Sequence, residues 1–268
     1  MRRIAGRVPS LRRTAVGAGL LLCAVAAHAD LVVPAATTVG LGGGSMNLGC
    51  TDVILNGTLD LQGGTLTNVR HVQIAAGGSL VLGSGSVSLA GNWSNAGTLN
   101  AGTGTVSIVD DAACAPSSVV SGNSTFHALS VTSTTGKLVQ FAAGSMQTVQ
   151  SSLTLTGTAA NPLRIESTTP GAVSADINLL ASGTQNLANL AVRGMGASGQ
   201  WLAPYQTNQG AGPVNRWFGK PIVDPGTPIA PIPTTSEWTL VAMALALGAL
   251  AARQRRNQKH TSTGRKSS

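Results

Sequence analysis

A three-residue unit, Gly then Ser or Thr then Leu or Val, recurs in this chain and limits what it can fold into. It stands at Gly57-Thr58-Leu59, Gly64-Thr65-Leu66, Gly78-Ser79-Leu80, Gly85-Ser86-Val87, Gly97-Thr98-Leu99 and Gly104-Thr105-Val106. The units come in pairs, and the pairs begin at residues 57, 78 and 97. A period near 20 residues is the mark of a solenoid, because one such unit cannot bury its apolar face until the next stacks on it.

The local pattern selects the kind of solenoid. "GTLDLQG", "GSLVLGS", "GSVSLAG" and "SLTLTGT" alternate apolar and polar residues, which is the period of a strand. Gly and Asn bound each stretch, and these residues tolerate the backbone angles of tight turns. No helical pattern of about ten residues interrupts the body. The expected class is all-β: a right-handed parallel β-helix of about seven coils over residues 51–195. Residues 30–50 read as an N-terminal approach or cap. "VDDAACAPSSVVSGN", Val109 to Asn123, breaks the repeat and reads as a protruding loop. Residues 196–219 hold Trp201, Tyr205, Trp217 and Phe218. They read as a C-terminal cap over the open strand edge, or as a carbohydrate-stacking site.

Composition agrees with a β-rich body. There are 34 glycines, and only 10% of the residues are charged. The net charge of +8 does not point to nucleic acid, because it lies outside the repeat. Arg2, Arg3, Arg7, Arg12 and Arg13 stand at one end, and Arg253, Arg255, Arg256, Lys259, Arg265 and Lys266 at the other. Between Asp30 and Pro231 six basic residues face eight acids. A nucleic-acid surface would carry its charge on the fold. Here the charge flanks two apolar segments, the pattern of membrane targeting.

The first segment is a signal-peptide pattern over residues 1–29: a basic start, the apolar run Ala15 to Ala27, and small residues Ala27 and Ala29 before a cut at Asp30. An uncut N-terminal anchor is the alternative; the run is short for one. Export through the secretion machinery leaves two cysteines in the body, Cys50 and Cys114. In an oxidising compartment the pair is expected to form a disulfide; two buried thiols are the alternative. In strict register they lie about three coils apart, roughly 14 Å, whereas bridged Cα atoms lie within about 7 Å. The bond therefore needs the Val109–Asn123 loop to fold back.

Chemistry-bearing motifs are sparse. No zinc-like Cys/His spacing and no phosphate-cradling glycine loop is present, so neither a metal nor a cofactor is expected. Asp110-Asp111 is the best catalytic candidate, since paired carboxylates serve as acid and base in polysaccharide-cleaving enzymes. Neighbours on a strand point to opposite faces, and a solvated loop is the competing reading. The body is expected not to be an enzyme.

The second apolar segment decides the destination. A Pro-rich spacer, residues 220–235, leads into "IPTTSEW", an apolar run from Trp238 to Ala252, and a cluster with Arg253, Arg255 and Arg256. A run of 15 residues is short for a span, but Trp238 at one interface and Arg253 at the other extend it. A transmembrane helix over 238–252, with its cationic end inside, obeys the positive-inside rule. The layout over residues 232–256 resembles the IPTL-CTERM protein-sorting family. Ile232, Pro233, Thr234 and Trp238 match its motif, whereas Thr235 stands where the family has Leu and Thr239 where it has Gly. The resemblance implies a Gram-negative substrate of an exosortase, a membrane protease that reads Ile232 to Thr235 and Trp238 and cuts the tail outside the cytoplasm. Three functions fit. One is a cell-surface structural or adhesive protein, with extracellular polysaccharide as a partner. The second is a polysaccharide-active enzyme delivered the same way. The third is an uncut, membrane-anchored periplasmic protein.

Overall fold

The computed structural model describes residues 29–219, 245–249 and 253, and the chain divides into two units, Met1–Lys220 and Pro221–Ser268. The first is an all-β parallel solenoid of about nine turns. Each turn passes through three faces. The first face begins with Leu31–Val33, which pairs in parallel with residues 53–55 and then, coil by coil, with 72–74, Trp93–Asn95, Ser117–Ser121, Leu138–Phe141, Leu163–Ser167 and Leu190–Arg193. The second begins with Thr38–Gly40, Thr58–Asp60, Ser79–Val81 and Thr98–Asn100. The third runs from Ser45 through Thr65, Ser86 and Thr105 to Ala128, Ser152 and Thr184.

The repeated triplet has a role for each of its letters. The Leu or Val points inward: Leu59, Leu66, Leu80, Val87 and Val106 are at most 1% exposed. In register they make columns, such as Leu66, Val87, Val106, Leu129 and Leu153 on the third face. Each fully buried side chain of this size contributes about 1.5–3 kcal/mol relative to exposure. The Ser or Thr faces outward. The Gly closes a corner and lets coils approach. Gly64, Gly85 and Gly104 donate back to Leu61, Leu82 and Ala101 at 2.7–2.9 Å. The carbonyls of Gly44, Gly64 and Gly85 accept from the next coil: Thr65 N to Gly44 O at 2.9 Å, Ser86 N to Gly64 O and Thr105 N to Gly85 O, both at 3.0 Å. A Cβ at Gly104 would lie 2.6 Å from the Gly85 carbonyl oxygen, and at Gly64, Gly78 and Gly85 it would press closer still on the coil beneath. Only glycine permits that stacking.

The solenoid has a seam. The described strands form a sixteen-stranded sheet and a separate four-stranded one, the latter being the first four strands of the second face. No strand ladder joins Thr98–Asn100 to residues 124–126 above it. Side chains fill the gap. Trp93 packs on Phe126 with ring centroids 5.3 Å apart, and its indole N–H donates to Ser124 Oγ at 2.9 Å. Asn95 donates to the same oxygen at 3.0 Å. All four residues are buried.

Three expectations change. There are about nine turns rather than seven, because stacking begins at Leu31 and segment 30–50 supplies strands rather than an approach. Segment 109–123 is only partly a loop, since Ser117–Ser121 returns to the first face as a strand. In segment 196–219, Val214–Asn215 pairs in parallel with Met195–Gly196, a bridge joins Leu202 to Trp217, and Leu202, Trp217 and Phe218 are buried. The expected signal helix up to residue 28, the Pro-rich spacer and most of the 238–252 span lie outside the described residues. Residues 245–249 and Arg253 are helical. Among the described residues no helix is long and apolar enough to cross a membrane.

Candidate functional site

The insertion at Val109 to Pro116 gathers most of the body's unusual chemistry. Cys114 lies on a turn in which Asp111 Oδ1 accepts from Ala113 N at 3.1 Å and Cys114 N at 3.2 Å. The turn folds back along the corner between the third and first faces. Cys50 waits there at φ 69°, beside Gly49 at φ 57°, in a bulge between Asn47 and Thr51. The two cysteines are bonded, with Cα atoms 5.6 Å apart. The three-coil gap expected in strict register is closed by the loop.

Asp110 holds the other side of the insertion. Its carboxylate accepts from Ser133 Oγ at 2.9 Å, Thr134 N at 3.0 Å, Thr135 N at 2.9 Å and Thr135 Oγ1 at 2.9 Å. Burial works to raise its pKa, but the donors from Thr135, Ser133 and Thr134 outweigh it and hold the carboxyl below the usual aspartate value. The adjacent Asp111 is exposed and spends one oxygen on its own turn. The two carboxylates thus anchor different segments and do not converge. Lys137, only 3% exposed, donates from Nζ to the Ala115 carbonyl at 2.7 Å. Burial pushes its pKa down, opposed by the nearby charges of Asp110 and Asp111. Neither Lys137 nor the Ser133–Thr135 clamp carries a sequence signal; their role depends on where the insertion lands. A hollow of about 400 Å³ is lined by Asp110, Thr132, Ser133, Thr134, Thr156 and Thr158.

A second pair of hollows lies at the C-terminal cap. One of about 340 Å³ is lined by Gln185, Asn186, Leu187, Ala203, Pro204, Tyr205 and Gln206. Another of about 360 Å³ is lined by Gln185, Gln200, Trp201, Pro204 and Arg216. The apolar column that ends at Leu153 meets Gln185 in the next coil. The Gln185 amide donates to Trp201 O at 3.0 Å and accepts from Ala203 N at 2.9 Å, tying the cap to the coil. Among the described residues no cluster of three or more His, Cys, Asp or Glu is placed to hold a metal.

The expected export residues fall mostly beyond this body. Ala29 and Asp30 are exposed just before the first strand, and Asp30 Oδ1 accepts from Asp52 N at 3.1 Å. Arg253 is helical and exposed. Ala27, Ile232, Pro233, Thr234, Thr235, Trp238, Arg255 and Arg256 lie outside the described residues. No curated protein and no solved structure matches the chain. One family model does, described as the IPTL-CTERM motif, over residues 230–257. The segment with Ile232-Pro233-Thr234, Trp238 and the arginine cluster lies within that match, and the chain is identified as a carrier of the IPTL-CTERM motif over residues 230–257.

Proposed function

We propose that this is an exported cell-envelope or surface protein whose solenoid serves a structural or adhesive role. The IPTL-CTERM match over residues 230–257 carries the reading. A signal peptide over residues 1–29 sends the chain through the secretion machinery. The segment 238–252 then holds the precursor in the inner membrane, with Arg253, Arg255 and Arg256 on the cytoplasmic side. An exosortase-like protease reads Ile232, Pro233, Thr234, Thr235 and Trp238, and cuts the tail. The Cys50–Cys114 bond supports an oxidising destination. A body held by stacked backbone, with Asp110 committed to its loop clamp, supports a non-enzymatic role.

The test compares the wild type with an Ile232→Ala/Pro233→Ala variant in the native host. The wild type is expected outside the inner membrane without its tail. The variant is expected in the membrane fraction with Trp238–Arg256 retained. Equal retention in both would make the protein a permanent anchor, and a body found in the cytoplasm would remove the export reading altogether.

A further inference from the structure

The solenoid spends its few aromatics inside. Trp93, Phe126, Phe141, Trp217 and Phe218 are all buried. Two described aromatics are not: Tyr205 is 74% exposed, and Trp201 is half-buried. They line the two cap hollows, which adjoin through their shared residues Gln185 and Pro204. An exposed ring is costly to hydrate and gains when an apolar face covers it.

The polar groups around these rings are of one kind. Asn186 makes no side-chain hydrogen bond among the described residues, so its amide is free to both donate and accept. Gln206 and Gln200 spend their N–H groups on backbone carbonyls and keep their amide oxygens. Arg216 gives one N–H to Gly199 O at 2.5 Å and retains others. No carboxylate lines either hollow, so the guanidinium there is unopposed. The backbone is also held in an uncommon shape: Ala203 and Arg216 have φ of 45° and 57°, conformations that non-glycine residues adopt only where the surroundings impose them.

We propose that the cap groove from Tyr205 to Arg216 binds an acidic polysaccharide. A sugar ring presents an apolar C–H face for Tyr205 and Trp201, hydroxyls for Asn186, Gln200 and Gln206, and a uronate carboxylate for Arg216. The partner rests on the surface reading above, since only an exported body meets such chains.

Binding is measured on purified full-length protein by calorimetry, independently of where the protein goes in cells. The probes are a defined oligogalacturonate and a neutral cello-oligosaccharide. The oligogalacturonate is expected to bind more tightly than the neutral probe. Tyr205→Ala should weaken both by about tenfold or more, in line with loss of one stacking contact. Arg216→Lys should weaken the acidic probe alone, because a lysine keeps charge but not the planar fork. Unfolding midpoints of the variants, measured alongside, show that the cap is intact; Tyr205→Ala removes an exposed ring and should leave its midpoint unchanged. No binding of either probe, unchanged affinity in Tyr205→Ala, or a concentration-dependent dimer that Tyr205→Ala abolishes would each overturn the proposal, the last by making the groove a contact between copies. Failed export with binding retained would count against the surface reading alone.

Discussion

The coils before the seam and those after it solve the same stacking problem by different means. From Thr38 to Ile108 the chain repeats closely, and glycines at the corners let successive backbones touch. After Ser124 the triplets thin out, and amide side chains take over as connectors. Gln147 Nε2 donates to Gly122 O at 2.7 Å and Asn189 Nδ2 to Gly157 O at 3.2 Å. Asn208 does both halves of a strand pairing on its own, accepting from Val192 N and donating to Val192 O, each at 2.9 Å. Gln200 reaches the carbonyls of Leu180, Ala181 and Gly183. The regular coils also have side-chain links, such as Asn68 to Asn47 at 3.0 Å and Arg70 to Asp52 at 2.7 Å, but most of their peptides face the next coil directly. An irregular coil leaves peptides facing gaps, and a buried peptide without a partner costs about 1–3 kcal/mol. Asn and Gln carry a peptide's donor and acceptor on a flexible stem, so they fill those gaps.

The largest expected effect joins the two regions. Cys50 lies in the regular part and Cys114 in the insertion beside the seam, 64 residues apart. Cys50→Ser/Cys114→Ser should lower stability by about 4 kcal/mol in the chain-entropy account, read from urea unfolding. A loss below about 1 kcal/mol would mean that the loop is held by Asp110 and Lys137 instead.

The glycine argument is sharpened by a pair of variants. At Gly78 a Cβ would press on the Leu55 carbonyl oxygen, whereas at Gly144 it would meet nothing, although φ there is 79°. Gly78→Ala should therefore cost about 3 kcal/mol through forced backbone movement, and Gly144→Ala about 1–2 kcal/mol from the left-handed backbone alone. Equal losses would break the distinction between close approach and backbone angle.

The amide connectors predict a smaller, local loss. Asn208→Ala should cost about 1–2 kcal/mol, with faster hydrogen exchange at Val192 N and little change before the seam. Global loosening would show that the cap and the regular coils unfold as one unit.

The smallest effect concerns acid. The folded pKa of Asp110 lies below its ordinary value. Its contribution is thus complete above the ordinary carboxyl range and is lost as pH falls through the lower folded value. Asp110→Asn should reduce stability at neutral pH by about 1 kcal/mol and flatten the acid limb of the stability profile. An unchanged acid limb would remove the clamp from the account.

What the sequence disclosed follows the same division. The triplets before the seam announce strand, corner and core directly, because each coil repeats the last. Segment 30–50 was harder to read: its glycines at 40, 42, 43, 44 and 49 mask short strands that become strands only by pairing with the coil above. The cap aromatics were visible as a cluster, but the contacts of Gln185 and Asn208 depend on which peptide lies within reach. The disulfide partners were legible by count, and the path that unites them was not, since it depends on where the insertion folds back. The IPTL-CTERM motif was readable because a linear motif is set by the order of residues rather than by packing.

The central claim is that a stapled solenoid is delivered outside the cytoplasm and relieved of both apolar ends. It is tested most directly by the intact mass of the protein recovered from its native host, after alkylation without reductant. The account predicts a chain that begins at Asp30, lacks the Trp238–Arg256 segment, and has Cys50 and Cys114 protected from alkylation until reductant is added. A chain that still carries Met1 and Arg256, with both thiols alkylated, would contradict it.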